Sequence, residues 1–377
     1  LRSVAQSNKR DRLSRLHALW GLGQIAAQGP GKSGAIVKLL TDSDAVLRAN
    51  AARIIGDLKL AKAKQTLIEA LHDDAAQVRS LAAIALGRVA APKDRPAIDA
   101  LFELVVRNGK TTPDIVVRHA CLTALDNLNA EAAAASRVKS KSREERLVSV
   151  LVLRRKASPA LATFLNDSDS QIRTETIRAI YDTAAMITAA GPKVASLTSI
   201  ADLPETVQRR IVTANFHLGQ DKNAGRLLDL AADTSLKLSG REAALQGLRK
   251  WTTPPVTDPV HGHYRPLEDS TRDAGKLVAA IGKDLSRYLA REKTPRLLAL
   301  GLRLANEIGV NLPRSTLEPQ ALNPDLDAEV RVATLDSLVS QFGTGAKAPT
   351  QKLLSATNEV VRAAAMGHAF SVGIKDI

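Results

Sequence analysis

One segment of this chain occurs twice with the same charged residues at the same spacing. Residues 40–57 and 165–182 are identical at eight of eighteen positions, and both contain Asp-Ser-Asp followed four residues later by arginine. Repeat architectures copy one supersecondary unit along the chain, and a conserved internal spacing is their sequence signature. The duplication therefore predicts a repeat protein.

Further copies are marked by an arginine that follows an aliphatic residue and precedes small and aliphatic residues three and seven positions later. The strong copies at Arg48, Arg79 and Arg118, and those at Arg331 and Arg362, follow one another at intervals of about 31 to 39 residues, which fits two helices and two turns. Weaker copies lie at Arg15, Arg241 and Arg296. Each unit is thus predicted to be a helix, a short turn and a second helix. The strong copies contain Arg48, Arg79, Arg118, Arg173, Arg331 and Arg362, and their helices are expected to begin near Asp44, Ala75, Asp114, Asp169, Asp327 and Asn358.

The composition agrees with a helical repeat. Of the 377 residues, 45% are hydrophobic but only 3% are aromatic, so the interior must consist of Ala, Leu, Val and Ile. Small and straight-chain aliphatic residues favour closely packed helices over a twisted sheet. No run approaches the roughly 18 apolar residues of a membrane span. We therefore expect an all-α protein that does not insert into a membrane.

An aspartate precedes the arginine by six residues in four units, and this spacing closely resembles the HEAT-repeat family. The resemblance covers most of the chain and implies a right-handed α-solenoid of about ten to eleven helix pairs. The aspartate can accept hydrogen bonds from the free amides at the helix start, and the arginine can reach a carboxylate of a neighbouring unit. These charges are interpreted as a structural ladder. Its members are Asp42, Arg48, Asp73, Arg79, Asp167, Arg173, Asp325 and Arg331.

The period is interrupted once, in the 55 residues between Arg241 and Arg296. Residues 251–270 contain several prolines and two histidines, too many prolines for a helix. This predicts an ordered insertion loop whose Trp251 and Tyr264 pack back onto the repeats. The expected organisation is a repeat array at 1–250, the loop at 251–270 and further repeats at 271–377.

Two glycine-containing segments mimic nucleotide-binding motifs. Gly29-Pro-Gly-Lys32-Ser33 matches the end of a phosphate-binding P-loop, and Gly21-Leu-Gly23 matches part of a dinucleotide fingerprint. Both motifs require a preceding strand, whereas residues 12–27 have helical periodicity. We therefore expect a turn at Lys32, no cofactor, and a glycine at position 23 that allows close packing of neighbouring units.

No motif points to catalysis or to a metal site. His261 and His263, with Asp258, Glu268 and Asp269 nearby, lack a third well-spaced ligand. Cys121 is the single cysteine, which excludes an internal disulfide and a cysteine-rich cluster. We expect no catalytic, cofactor-binding or metal-binding residue in this chain.

The strongest local positive charge lies at residues 137–156, where eight basic residues face two acidic ones. Such a segment either binds phosphates or is a solvated loop followed by a helix with a basic last turn, which the helix dipole favours. The net charge of the whole chain, +14, leaves nucleic acid as a partner to consider. The candidate anion-binding residues are Arg143, Arg146, Arg154, Arg155 and Lys156.

Two segments, around Trp20 and around residues 251–267, resemble the HEAT region of large exported bacterial proteins. In that family the repeats are a spacer between a sugar-dehydrogenase-like β-propeller and a c-type haem domain. The resemblance implies a non-catalytic piece of a longer, periplasmic or exported protein. The Cys-x-x-Cys-His motif of the haem domain does not occur in this sequence.

The preferred function from sequence is a non-enzymatic scaffold or spacer that contacts a protein partner or neighbouring domains of the same polypeptide. The alternative is a sequence-independent duplex-DNA-binding HEAT protein. A HEAT-like lyase or DNA glycosylase ranks third.

Overall fold

The computed structural model describes residues 1–29, 33–267 and 272–375, and it confirms the predicted all-α, solenoid-type fold. The chain forms two compact units, Leu1–Met186 and Ile187–Ile377. The insertion loop lies within the second unit. Within the part of the chain that the structure describes, no helix combines the length and the apolar character that a bilayer span requires.

Helix pairs build the first unit. The second helix of each pair, here called an anchor helix, packs directly on the anchor helix of the next pair, as α4 does on α6 and α6 on α8. The anchor helices are α2 (Arg12–Ala27), α4 (Ala45–Asp57), α6 (Ala76–Val89), α8 (Ile115–Asn127), α10 (Arg143–Arg155) and α11 (Ser170–Tyr181). The other members of the pairs are α1 (Arg2–Ala5), α3 (Gly34–Lys38), α5 (Lys64–Ala70), α7 (Arg95–Asn108), α9 (Glu131–Ala135) and a 3-10 helix at Pro159–Phe164.

The second unit repeats this arrangement, with α13 packed on α15, α15 on α17 and α17 on α19. Helix α12 (Ala184–Ala195) precedes these pairs. The anchor helices are α13 (Glu205–Leu218), α15 (Leu238–Arg249), α17 (Pro295–Ile308), α19 (Ala328–Phe342) and α21 (Glu359–Ala369). Their partners are α14 (Asp221–Ala232), α16 (Ala274–Arg291), α18 (Arg314–Leu322) and α20 (Lys347–Leu353).

The anchor helices begin where the sequence predicts, because short polar side chains cap their free amides. In α6 the cap residue Ala75 has no such side chain, and the Asp73 carboxylate accepts the Ala75 N–H instead (2.8 Å). The side-chain caps are Asp44, Asp114, Asp169, Asp327 and Asn358.

Small residues let the anchor helices approach one another closely. A methyl group added at Gly56 would lie 2.8 Å from the Cα of Ala85, and one at Gly87 would lie 2.5 Å from the Cα of Ala124. Gly23 faces the Ile54 side chain in the same way. The first unit therefore depends on glycine against a small or aliphatic residue at each of these helix contacts, as expected for Gly23.

The insertion is a short irregular loop held by one antiparallel bridge between Thr257 and Tyr264. Trp251 is buried as predicted, but Tyr264 is 77% exposed, so the prediction that it packs onto the repeats is wrong. Successive residues of an extended segment point to opposite sides. Proline content alone could not show which side Tyr264 takes.

We predict that Gly87→Ala lowers the free energy of unfolding by about 1 to 2 kcal/mol, because overpacking against the Ala124 backbone outweighs the gain in helix propensity. The matched control is Gly225→Ala in α14, where the new methyl group meets no atom within 4 Å. This control should stabilise the protein by about 0.5 to 1 kcal/mol. Urea unfolding followed by circular dichroism measures both. Equal effects of the two substitutions would contradict the close approach.

Candidate functional site

The fourth residue of nearly every anchor helix is an arginine that is turned back toward the preceding turn. Arg48 illustrates the geometry: its Nη1 donates to the backbone carbonyl of Asp42 (2.7 Å) and of Ser43 (3.1 Å). Arg48 therefore fixes the turn of its own repeat. These anchor arginines are Arg15, Arg48, Arg79, Arg118, Arg146, Arg173, Arg241, Arg331 and Arg362.

The other face of the Arg48 guanidinium reaches the next repeat. Nε and Nη2 donate to the two carboxylate oxygens of Asp73, at 2.6 and 2.9 Å. Burial alone would raise the pKa of Asp73, but the hydrogen bonds from Arg48 and from the Ala75 amide outweigh it and hold that pKa below its usual value. The pair is a charge-assisted, bidentate link between two repeats.

The ladder aspartate lies two residues before the helix cap. Asp42 accepts the backbone N–H of Asp44 (2.9 Å), whereas Asp44 itself caps α4 through the Val46 N–H (2.9 Å). The expectation that the ladder aspartate caps the helix is thus corrected. A separate cap residue leaves the ladder carboxylate available to an arginine. The equivalent turn contacts join Asp73 to Ala75 and Asp167 to Asp169.

Arg79 and Arg173 hold their own turns in the same way. Arg79 donates from Nη1 to the carbonyls of Asp73 (2.8 Å) and Asp74 (2.7 Å). Arg173 donates from Nη1 to the carbonyl of Asp167 (3.3 Å). Within one repeat, the arginine therefore contacts the backbone of the aspartate six residues before it.

Sequence reasoning missed Arg146 as an anchor arginine and assigned it to anion binding. Its Nε and Nη2 donate to Asp167 at 2.7 and 3.1 Å, and its Nη1 donates to the carbonyl of Ser140 (2.8 Å). Ser140 occupies the turn position of the aspartate, six residues before Arg146, and accepts the N–H of Ser142. A search that allowed serine at that position would have found this repeat.

Arg118 pairs with a carboxylate on a helix and not with one in a turn. Both Glu144 carboxylate oxygens accept from Arg118, and Glu144 is 3% exposed. A methyl group at Gly109 would lie 2.6 Å from the Glu144 Cβ, so the glycine provides space for this side chain. The aspartate spacing could not predict this pair, because the acid comes from α10.

The predicted Asp325–Arg331 spacing is corrected by the structure. Arg331 donates from Nε to the carbonyl of Ala321 (3.1 Å), and Asn323 accepts the N–H of Asp325 (3.0 Å). Asn323, eight residues before the arginine, therefore holds the turn position, because this turn is two residues longer. Arg15 and Arg241 make the same ten-residue contact, with Ala5 and Ala231, and pair with Asp42 and Glu292.

Two anchor helices have no arginine at the fourth position. In α13 the fully buried Gln208 donates to the carbonyls of Ile200 (3.2 Å) and Leu203 (3.1 Å) and accepts the N–H of Lys237 (3.3 Å). A neutral amide thus joins two repeats. In α17 the fourth residue is Leu298, and Arg296, predicted as a weak copy, instead pairs with Glu329 on the surface.

Every candidate anion-binding residue has a carboxylate partner in a neighbouring helix or turn. The partners lie 21 to 30 residues away along the chain, so the pairs join neighbouring repeats while they neutralise much of the local charge. The pairs are Arg143–Asp169 (2.7 Å), Arg146–Asp167 (2.7 Å), Arg154–Glu175 (3.4 Å), Arg155–Asp126 (3.6 Å) and Lys156–Asp126 (2.8 Å).

The remaining sequence candidates form no site among the described residues. Lys32 lies outside them, and the flanking elements are helices α2 and α3. The His261 and His263 rings are 5.7 Å apart, Glu268 and Asp269 also lie outside, and no described group of three His, Cys, Asp or Glu side chains is placed to hold a metal ion. Burial, with a smaller effect from the nearby Glu144 charge, raises the pKa of Cys121 to about 12.

The insertion is held against α13 by the buried carboxylate of Asp258, which the sequence analysis considered only as a possible metal ligand. Asp258 is 2% exposed and accepts the backbone N–H groups of Val260 (2.8 Å) and His261 (3.0 Å). Its other oxygen contacts His217 Nε2 and Arg265 Nη1, both at 3.2 Å. One carboxylate thus fixes the loop to the repeat.

A pocket of about 250 Å³ lies between the insertion and helices α13 and α15. Thr213 and Gln246 are the ninth residues of these helices, as Trp20 and Arg53 are of α2 and α4. By helix position, the pocket therefore lies on the face that Trp20 and Arg53 occupy in the first unit. Its lining is Arg209, Val212, Thr213, Phe216, Ala243, Gln246, Gly247, Lys250, Pro255 and Pro259.

We predict a coupling free energy of about 1 to 3 kcal/mol between Arg48 and Asp73, measured by a double-mutant cycle of Arg48→Ala and Asp73→Asn in urea unfolding. The Asp73 pKa is lower folded than unfolded, so the coupling should be full above about pH 5 and decline as pH falls below about 4.

The exposed pair Arg287 and Asp284, both more than half exposed, is the control for this cycle. Its coupling should stay below about 0.5 kcal/mol, because water and side-chain entropy offset surface pairs. Coupling as weak at Arg48–Asp73 as at the control would contradict a structural ladder.

One comparison, with a model of a repeat family, agrees with the repeat geometry of the first unit. A model of HEAT repeats matches residues 1–87 and 33–126. No curated protein matches the chain. Solved structures with similarity include an engineered protein (19% identity, TM-score 0.31, covering 98% of this chain and 97% of that chain) and human deoxyhypusine hydroxylase in complex with glycerol (20%, 0.28, 67% and 94%). A third is the complex of CpcE and CpcF of phycocyanin lyase from Nostoc sp. PCC7120 (21%, 0.32, 74% and 90%). The family model matches within the first 126 of the 377 residues, and anchor helices of the same kind continue beyond it in a solenoid-type repeat fold.

Proposed function

We propose that this chain is a non-catalytic scaffold that binds a protein partner, or a neighbouring domain of its own polypeptide, on the exposed face of its anchor helices. The observation that carries the proposal is that cationic side chains of the anchor helices pair with carboxylates of neighbouring repeats. Five anchor arginines (Arg15, Arg48, Arg118, Arg146 and Arg241) and the five candidate cations of the basic segment pair with carboxylates of neighbouring repeats, so these cations support a rigid surface.

Exposed apolar residues on the anchor helices support a protein partner. Leu13, Ile115 and Val116 lie in the first turns of α2 and α8 and are 61%, 71% and 62% exposed. Trp20 lies on α2 and is also exposed, with its Nε1 donating to Asn50 of the next repeat (3.3 Å). Tryptophan and aliphatic residues are frequent energetic centres of protein interfaces.

The net charge of +14 supports the alternative, a sequence-independent duplex-DNA-binding protein. The five candidate cations are less suited to it, since phosphates would have to compete with carboxylates such as Asp167, whose side chain is 3% exposed. A spacer within an exported multidomain protein is a specific form of the scaffold proposal, and it rests on the resemblance around Trp20 and residues 251–267.

We expect the tagged protein, captured from its native cells after nuclease treatment and washed at about 300 mM salt, to retain a separate protein partner in stoichiometric amount. Trp20→Asp should release it, because a charge replaces an exposed apolar contact. The control Lys283→Glu lies on α16 and should retain it. Partner identity is read by mass spectrometry and confirmed with the purified partner.

Duplex binding provides the opposing arm of the same test. We expect a labelled duplex to dissociate by about 150 mM salt, since the five candidate cations of the basic segment are already paired with carboxylates. Sub-micromolar binding at that salt, with a slope near −4.5 for five contacts and loss in Arg154→Glu/Arg155→Glu, would contradict the scaffold proposal and favour DNA.

A further inference from the structure

The pocket in the second unit differs in charge from the paired surface of the basic segment. Arg209 and Lys250 both line it, and none of its lining residues is acidic. Among the described residues, no carboxylate forms an ion pair with either cation. The pocket therefore presents two cations whose charge is not offset by a neighbouring acid.

The remaining wall of the pocket is apolar and of limited size. Val212, Phe216, Pro255 and Pro259 are apolar members of its lining. A volume of about 250 Å³ is below the roughly 300 to 1,000 Å³ of sites for drug-sized ligands, and it suits a single large side chain. Anchor side chains of this kind in protein interfaces are usually aromatic or aliphatic.

The walls of the pocket are fixed before any ligand binds. Arg209 donates to the carbonyl of Pro259 (3.2 Å), and buried Asp258 holds the insertion to α13. Behind the pocket, the Arg272 guanidinium lies over the rings of Phe216 (4.9 Å) and Trp251 (4.5 Å) and donates to the carbonyl of Phe216 (2.5 Å). A preformed pocket loses little conformational entropy on binding.

We propose that this pocket binds a segment of a protein partner in which a leucine or phenylalanine side chain fills the apolar cavity and adjacent aspartate or glutamate residues pair with Arg209 and Lys250. The proposal deepens the scaffold function and rests on it. Charge complementarity selects the acidic flank, and the apolar wall selects the anchor.

A nucleic acid fits the pocket less well. Binding of single strands relies on exposed aromatic rings on which bases stack. Phe216 is 3% exposed, and its ring is covered by Arg272 and Trp251. The two cations alone would hold a phosphate without using the apolar wall.

The test uses three acetylated and amidated peptides of glycine and serine that differ only at four central residues. The first peptide carries Glu-Leu-Phe-Asp, with 4-fluorophenylalanine at the phenylalanine position so that binding is followed by ¹⁹F NMR. The second replaces the two acids by Gln and Asn. The third replaces the apolar pair by serine, and its binding is measured by competition with the first. We expect the first to bind the full chain with a dissociation constant on the order of 0.1 to 1 mM at about 150 mM salt. Loss of the acids or of the apolar pair should each weaken binding at least about tenfold.

Two variants locate the binding site. Lys250→Glu should weaken the first peptide about tenfold or more, whereas Lys283→Glu, an equal charge change at an exposed position of α16, should leave it unchanged. Ala243→Trp should block binding by filling the cavity without changing charge. Unchanged thermal unfolding midpoints show that the variants fold.

Equal binding of the acidic and neutral peptides, or no effect of Lys250→Glu, would overturn the proposal. The proposal would also be overturned if an oligonucleotide bound in a manner that depends on Lys250 while binding of the first peptide did not depend on Lys250. If a captured cellular partner is retained by Lys250→Glu and Ala243→Trp but lost in Trp20→Asp, the scaffold function stands and the pocket proposal fails. If the wild-type chain retains no protein partner in the capture experiment, the scaffold proposal itself fails.

Discussion

The fold depends on one guanidinium placed between two repeats. At the fourth residue of an anchor helix, an arginine such as Arg48 holds the backbone carbonyls of its own turn and the carboxylate of the next repeat at once. Removing one partner from such a partly buried pair leaves an uncompensated charge, which costs more than the pair itself contributes. The ladder therefore joins neighbouring repeats through pairs that are costly to break on one side.

The arginine can reach its partner only because the helices lie close together. At Gly56 and Gly87 the backbone of the next anchor helix occupies the space that a side-chain methyl group would fill. An interior of alanine and aliphatic residues, with 3% aromatic residues overall, permits the same short spacing elsewhere. In α13, where the fourth position is not arginine, the buried Gln208 links two repeats with neutral hydrogen bonds.

The fold was predictable because the repeat period, the capping residues and the Asp-to-Arg spacing all act locally along the chain. The details that failed depend on turn length or tertiary contact. Asp325 lies in a turn that is two residues longer than in the ladder repeats. The turn before Arg146 has a serine, Ser140, where other repeats have aspartate. Tyr264 faces solvent. The pocket could not be predicted, because Arg209 and Lys250 become neighbours only through the packing of α13 on α15.

Arg146 tests the central claim most directly, because its sequence context suggests phosphate binding whereas the structure uses it between repeats. The measurement is amide hydrogen exchange, followed by mass spectrometry, of Arg146→Ala and of the exposed control Lys139→Ala. The account predicts faster exchange in the turn at residues 165–169 and in the first turn of α11 for Arg146→Ala alone. Unchanged exchange there, together with a loss of duplex binding, would show that Arg146 serves a ligand and contradict the account.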